Sequence, residues 1–187
     1  MPKPAHEVVR GFFDKAINSL LSSMNLGDQL EQDGSTGIDV GGASREPDGQ
    51  WVLNPVPAGS PSKPTMILEV GLSESMAELR RDAQMWTDPN RGGINIAMML
   101  KVDRRRPKIT IEMWTWDPVS VQAQCRRTVV ICESQSGDKV TITGVPFKIP
   151  FDLLFRRNPT GRLGKDISLD RKMFEKLARR VWDCQDF

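Results

Sequence analysis

The chain has 187 residues, 39% hydrophobic and 27% charged, which suits one globular domain with its own core and excludes disorder along the whole length. Its 26 Lys and Arg against 24 Asp and Glu leave a net charge of +2, so any nucleic-acid-binding or membrane-binding surface must arise from local clustering. A single histidine, His6, and no tyrosine set aside histidine-rich metal sites, tyrosine nucleophiles and, in practice, a Ser-His-Asp triad.

Cys125, Cys132 and Cys184 show no Cys-X-X-Cys spacing and read as reduced, buried thiols of an intracellular protein. The opening MPKPAHEVVRGFF lacks a long apolar run, and no segment nears the roughly 20 apolar residues of a membrane span. The expectation is a protein neither secreted nor membrane-bound, with nucleus and cytoplasm both open.

Along the chain, Val9, Phe12, Phe13, Ala16, Ile17, Leu20 and Met24 recur at three- and four-residue steps, predicting an amphipathic helix over Pro4–Met24. Residues 31–49 are rich in Gly, Ser and Asp and read as loop, with room for a short strand around Ile38–Val40. Gln50–Val56 reads as a strand, the proline-rich 54–64 as a connection, and Thr65–Gly71 as a second strand. Ser75 and Glu78 form a capping box ahead of a helix with Met76, Leu79, Ala83 and Trp86 on its apolar face.

Ile94–Val102 and Lys108–Trp114 then read as a hairpin through DRRRP. Arg127–Glu133 and Lys139–Val145 form a second strand pair around Ser-Gly-Asp, and Leu169, Met173, Leu177 and Val181 mark a closing helix. This interleaving predicts an α/β fold, a mixed sheet flanked by helices. It reads as a single domain over 1–187, with a core of about 4–116 and a small strand-pair and helix extension over about 117–187.

Chemistry centres on two acids. Strand parity puts Ile67, Glu69 and Gly71 on one face of TMILEVG and Met66, Leu68 and Val70 on the other, so Glu69 is an acid inside an apolar strand. A carboxylate there needs a partner, a proton or a cation. Asp48 begins the preceding strand, close enough for the two to share one divalent ion. Taken alone, Asp48-Gly49 also suits a turn, and Glu69 also suits neutralisation by Arg or Lys.

Pro47-Asp48-Gly49-Gln50-Trp51 followed by Glu69-Val70-Gly71-Leu72-Ser73-Glu74-Ser75 resembles the PD-(D/E)XK, or restriction-endonuclease-like, superfamily, in particular fungal members with PDxQW and EVGxSES motifs. The likeness continues through LRRDAQMW, IAMMLKV, ITIEMW and IPFDLLFRR, over most of the chain. It implies a restriction-endonuclease-like core of helix, three strands, helix and strand, with Asp48 and Glu69 holding magnesium or manganese beside a phosphodiester. The departure is at the Glu-X-Lys lysine, whose position is Gly71. Candidate replacements are Lys101, Gln50, Arg80 and Arg81, and Glu7 is a candidate further acid.

Arg104, Arg105, Arg106 and Lys108 sit at the expected hairpin tip and are the first candidates for nucleic-acid phosphates, followed by the doublets Arg126-Arg127, Arg156-Arg157 and Arg179-Arg180. RRRPK also has the look of a nuclear-import signal. The leading expectation is a divalent-metal-dependent nuclease, a hydrolase of DNA or RNA weakened by loss of the lysine. The alternative is a non-catalytic nucleic-acid- or protein-binding module on the same fold. A secreted effector or toxin domain is a third, minor reading.

Overall fold

The computed structural model describes residues 5–33, 36–134, 139–160, 164–185 and 187. In chain order these form α1 (Ala5–Ser23), β1 (Leu30–Asp33), β2 (Ile38–Val40), β3 (Ala43–Arg45), β4 (Gly49–Leu53), β5 (Met66–Gly71), α2 (Met76–Thr87), β6 (Ile96–Val102) and β7 (Lys108–Asp117). There follow β8 (Gln122–Glu133), β9 (Val140–Thr143), β10 (Phe147–Ile149), α3 (Phe151–Phe155), β11 (Ile167–Leu169) and α4 (Arg171–Asp183).

Seven strands form one sheet in the order β1-β4-β5-β6-β7-β8-β9. Every pairing is antiparallel except the central β5–β6, which is parallel and is bridged by α2. A parallel pair needs a crossover, and the helix between Gly71 and Ile96 supplies it while covering one face. The other face carries α1 and α4, which bury Val9, Phe13, Ile17 and Leu21 and Phe174, Leu177, Val181 and Trp182 against Met66, Leu68, Met98, Leu100, Ile109 and Ile111. β6 is therefore covered on both sides, which is why its sequence is a nearly unbroken apolar run.

α2 starts as its sequence dictates. The Ser75 hydroxyl accepts from the Glu78 N–H and the Glu78 carboxylate accepts from the Ser75 N–H, satisfying two donors at the first turn. Leu79, Ala83 and Trp86 are buried and Met76 partly so, as the helical spacing predicts.

Two expectations change. In residues 31–49, read as loop with a short strand around Ile38–Val40, that strand is β2, and the reading did not include the edge strand β1, paired with β4 in the register Leu30↔Leu53, or β3, which pairs with β2 in a hairpin. That hairpin turns at Gly41-Gly42, both at positive φ, where a side chain would be strained. Its Ile38 and Val40 pack with α2, so a short apolar alternation is held by tertiary burial rather than by propensity.

The strand pair assigned to a separate C-terminal extension is part of the main sheet. β8 runs the full length of β7 and β9 follows it, so the sheet does not end near residue 116. The first half of β8 is mostly exposed, leaving no apolar alternation in Gln122–Arg126 to reveal it. The turn expected at Ser136-Gly137-Asp138 lies outside the described residues. The small separate pair is instead β10–β11, which with α3 and α4 closes the α1 side of the core.

Candidate acidic site

β4 and β5 pair with Gly49 opposite Leu68, so one residue further Asp48 stands opposite Glu69. Leu68 and Val70 point into the α1–α4 core, and Glu69 points to the α2 side with Ile67 and Gly71. The parity read from TMILEVG therefore holds, and the two acids share a face.

Both carboxylates are tied down. Asp48 Oδ2 accepts from the Val70 N–H at 2.7 Å, and Glu69 Oε1 accepts from the Trp86 indole Nε1 at 2.9 Å. Trp86 is buried on α2, and the chain after the helix wraps it, with the Ile94 N–H donating to its carbonyl. A Cβ at Gly92 would come within 2.3 Å of that carbonyl oxygen, so glycine is required for the close approach.

Burial pushes the Glu69 carboxyl from its ordinary 4.5 up to about 7, and the neighbouring Asp48 charge adds to the effect. The Trp86 hydrogen bond pulls the other way. Asp82, one helical turn before Trp86, also presses on Glu69, and Arg45 of β3 faces Asp82 at 3.6 Å. The Asp48 backbone N–H, like the Trp86 indole, favours the ionised form.

The donor set fits a hard divalent cation of the magnesium or manganese kind. Its ligands would be carboxylate oxygens, each acid is oriented by an N–H donor, and the charges of the two acids oppose each other's ionisation, an opposition that a shared cation would relieve. Among the described residues no group of three or more His, Cys, Asp or Glu is arranged to hold a metal ion, so Asp48 and Glu69 would need solvent or ligand oxygens to complete a coordination shell.

Gly71 leaves room for Leu79 of α2. A Cβ there would lie 2.8 Å from a Leu79 methyl carbon, so a lysine at this position would require buried Leu79 to shift. Lys101 stands directly across the parallel pairing from Gly71, on the face of the acids, but its Nζ donates to the Leu72 carbonyl at 2.6 Å. Leu72 lies past the end of β5, so the ammonium is drawn away from Glu69.

The other candidates are placed as follows. Gln50 is buried on the Asp48 face, and its Nε2 reaches the Thr36 carbonyl at 3.3 Å. Arg80 is committed to Glu112, with Nη2 at 2.6 Å and Nε at 3.1 Å from the two carboxylate oxygens. Arg81 lines a separate depression with Gln84, Asp88 and Arg91. Glu7 is exposed on α1, which packs against the opposite face of the sheet.

Glu112 is the acid that sequence reasoning passed over. It lies on β7 opposite Met99, itself opposite Glu69, and also accepts from the Trp114 indole at 2.9 Å. Its position in the alternation of ITIEMW marks it as facing the same side as Glu69, but nothing local reveals that Arg80 neutralises it.

The basic groups separate by role. Asp103 accepts from the Arg105 N–H at 2.9 Å and from Arg106 Nη2 at 3.3 Å, holding the β6–β7 turn. Arg104 and Arg105 project from that turn, exposed, and Lys108 opens β7 half-buried. Arg156 clamps the carbonyls of Pro61, Lys63 and Pro64, and Arg157 lies over the Phe151 and Phe155 rings. Arg156 thereby organises the proline-rich connection, and Arg157 also donates to Gln29 Oε1 at 2.6 Å. Arg126 donates to Thr115, and Arg179 and Arg180 are exposed on α4.

No protein-family model and no curated protein matches the sequence. Among solved structures, the chain is similar to one described as a "putative nuclease belonging to DUF820 from Anabaena variabilis ATCC 29413", at 10% identity and a TM-score of 0.48, over 97% of this chain and 84% of that one. Among the described residues no helix is long and apolar enough to cross a membrane.

Proposed function

We propose that the chain is a nuclease of the PD-(D/E)XK type, hydrolysing phosphodiester bonds of DNA or RNA with Asp48 and Glu69 as ligands of one magnesium or manganese ion. The observation that carries this reading is the pair itself: two carboxylates opposed across β4 and β5, with Glu69 raised to about 7 by burial and by the Asp48 charge beside it. The order α1, three strands of the main sheet, α2 and β6 agrees with the core that the motif resemblance implies.

The bound ion would supply positive charge for the phosphoryl oxygens. The protein's own contribution is orientation. The Val70 N–H holds the Asp48 carboxylate, Trp86 holds that of Glu69, and α2 keeps water from the apolar side of the pair. The test is cleavage of labelled DNA and RNA oligonucleotides with magnesium or manganese, alongside manganese titration by calorimetry. Asp48→Ala and Glu69→Ala should each remove both cleavage and manganese binding. Manganese binding unchanged in both variants would refute the assignment.

A non-catalytic nucleic-acid-binding module is the second reading, and one observation favours it. A side chain at the Glu-X-Lys position would press on Leu79, and Lys101, across the strand pairing from it, is bonded to the Leu72 carbonyl. Salt-sensitive oligonucleotide binding with no cleavage under either metal would select this reading.

A further inference from the structure

A cleft of about 560 Å³ opens beyond the carboxyl ends of β5 and β6, lined by Leu72, Ser73, Lys101, Asp103, Arg104 and Arg105. Three cations border it against one acid, and that acid is already engaged by the Arg105 N–H and the Arg106 guanidinium. Among the described residues the Arg104 and Arg105 side chains have no hydrogen-bond or ion-pair partner. The Lys101 ammonium spends one of its three donors on the Leu72 carbonyl and keeps two.

The turn that carries these groups is built to stay in place. The Asp103 N–H donates to the Lys108 carbonyl at 2.9 Å, and Gln185 from beyond α4 donates to the Asp103 carbonyl at 3.1 Å. A fixed concavity with unspent guanidinium and ammonium donors is suited to a phosphate, whose oxygens accept several such bonds. Leu72 follows Glu69 by three residues, so the cleft lies roughly 10 Å from the acidic pair along the strand direction. One extended polynucleotide backbone can touch both.

We infer that this cleft binds a backbone phosphate flanking the one that meets Asp48 and Glu69, with Lys101, Arg104 and Arg105 as its cations. The word flanking rests on the proposed nuclease site. Lys101 is thereby a strand-binding residue and not a substitute for the lysine that Gly71 replaces. Its direction away from Glu69, toward the Leu72 carbonyl, is the geometric reason.

The experiment measures anisotropy of fluorescein-labelled single-stranded DNA, duplex DNA and RNA with the full chain in EDTA, from about 50 to 200 mM salt. Arg104→Ala/Arg105→Ala should lower the salt slope by up to about 1, the share of one phosphate, and shrink the loss of affinity across that range roughly threefold, and Lys101→Ala should lower the slope by a smaller amount. Arg179→Ala/Arg180→Ala on α4 serves as the control and should leave the slope unchanged. Slopes equal to the parent in both cleft variants would overturn the inference, as would a mononucleotide or inorganic phosphate that competes as well as the oligonucleotide at equal ionic strength.

Adding manganese separates this claim from the nuclease reading. If the parent cuts, Lys101→Ala should weaken binding but keep the single-turnover rate at saturating protein within about threefold. Loss of that rate with unchanged binding would make Lys101 catalytic and overturn its assignment here. If the parent binds with the expected slopes and never cuts, the cleft stands and the nuclease reading falls.

Discussion

At Glu69 the sheet holds a carboxyl that is easier to protonate than in the unfolded chain. Between pH 4.5 and about 7 the folded state therefore binds more protons, so this group's effect is to lower stability as pH rises through that window. Glu69→Gln removes the charge and keeps an oxygen for Trp86. It should match the parent near pH 4 and exceed it at pH 8 by up to about 3 kcal/mol in urea unfolding. A gap of equal size at both pH values would show that the charge is not the cause. Manganese should raise the Tm of the parent at pH 8 and leave that of Glu69→Gln unmoved.

Two neighbours on the same face behave differently. Glu112 has a side chain only 3% exposed and is compensated by a half-exposed Arg80, so Arg80→Ala should cost about 2 kcal/mol by urea unfolding. Adding Glu112→Gln should recover part of it, because the stranded charge is gone. The position before α2 invites Gly71→Lys as a repair of the missing lysine, but its Cβ would press on buried Leu79. That substitution should instead destabilise by about 1–3 kcal/mol without raising cleavage above the parent's.

At the level of elements, α2 has three tasks that a single stretch of sequence combines: it bridges the parallel strands, buries the second core and carries Trp86 to Glu69. Its capping box holds the start in register, so Ser75→Ala should cost about 1 kcal/mol and lower Tm by a few degrees. Because Trp86 sits at the opposite end of the helix, the Glu69 hydrogen bond should survive. Unchanged pH dependence of stability in Ser75→Ala would check this.

For the whole molecule, the continuity of the sheet matters more than the apparent division of the chain. Ending the protein at residue 116 would remove β8, which covers the β7 edge, together with α4, which packs on α1 and carries Phe174 and Trp182 into the core. A chain of residues 1–116 should therefore show no cooperative thermal transition by circular dichroism. A sharp melt from that fragment would mean that the segment after 116 is dispensable after all.

Periodicity made α1, α2, β5, β6 and the core of β7 legible in the sequence, because each is long or fully buried and its apolar spacing repeats without interruption. It also placed Asp48 and Glu69 on successive strands, since parity in a strand is a local property. β1 and the first half of β8 were hidden, because an edge strand and an exposed ribbon need no alternation to pair. Which cation belongs to which acid was hidden too. Arg80 meets Glu112 across 32 residues, and Lys101 turns to Leu72 across 29. The sequence by itself determined which face of its strand each residue takes, because that parity is local; only the tertiary structure decided that Glu112 meets Arg80 while Glu69 meets the Trp86 indole, because both partners are carried over the sheet by the crossing of α2.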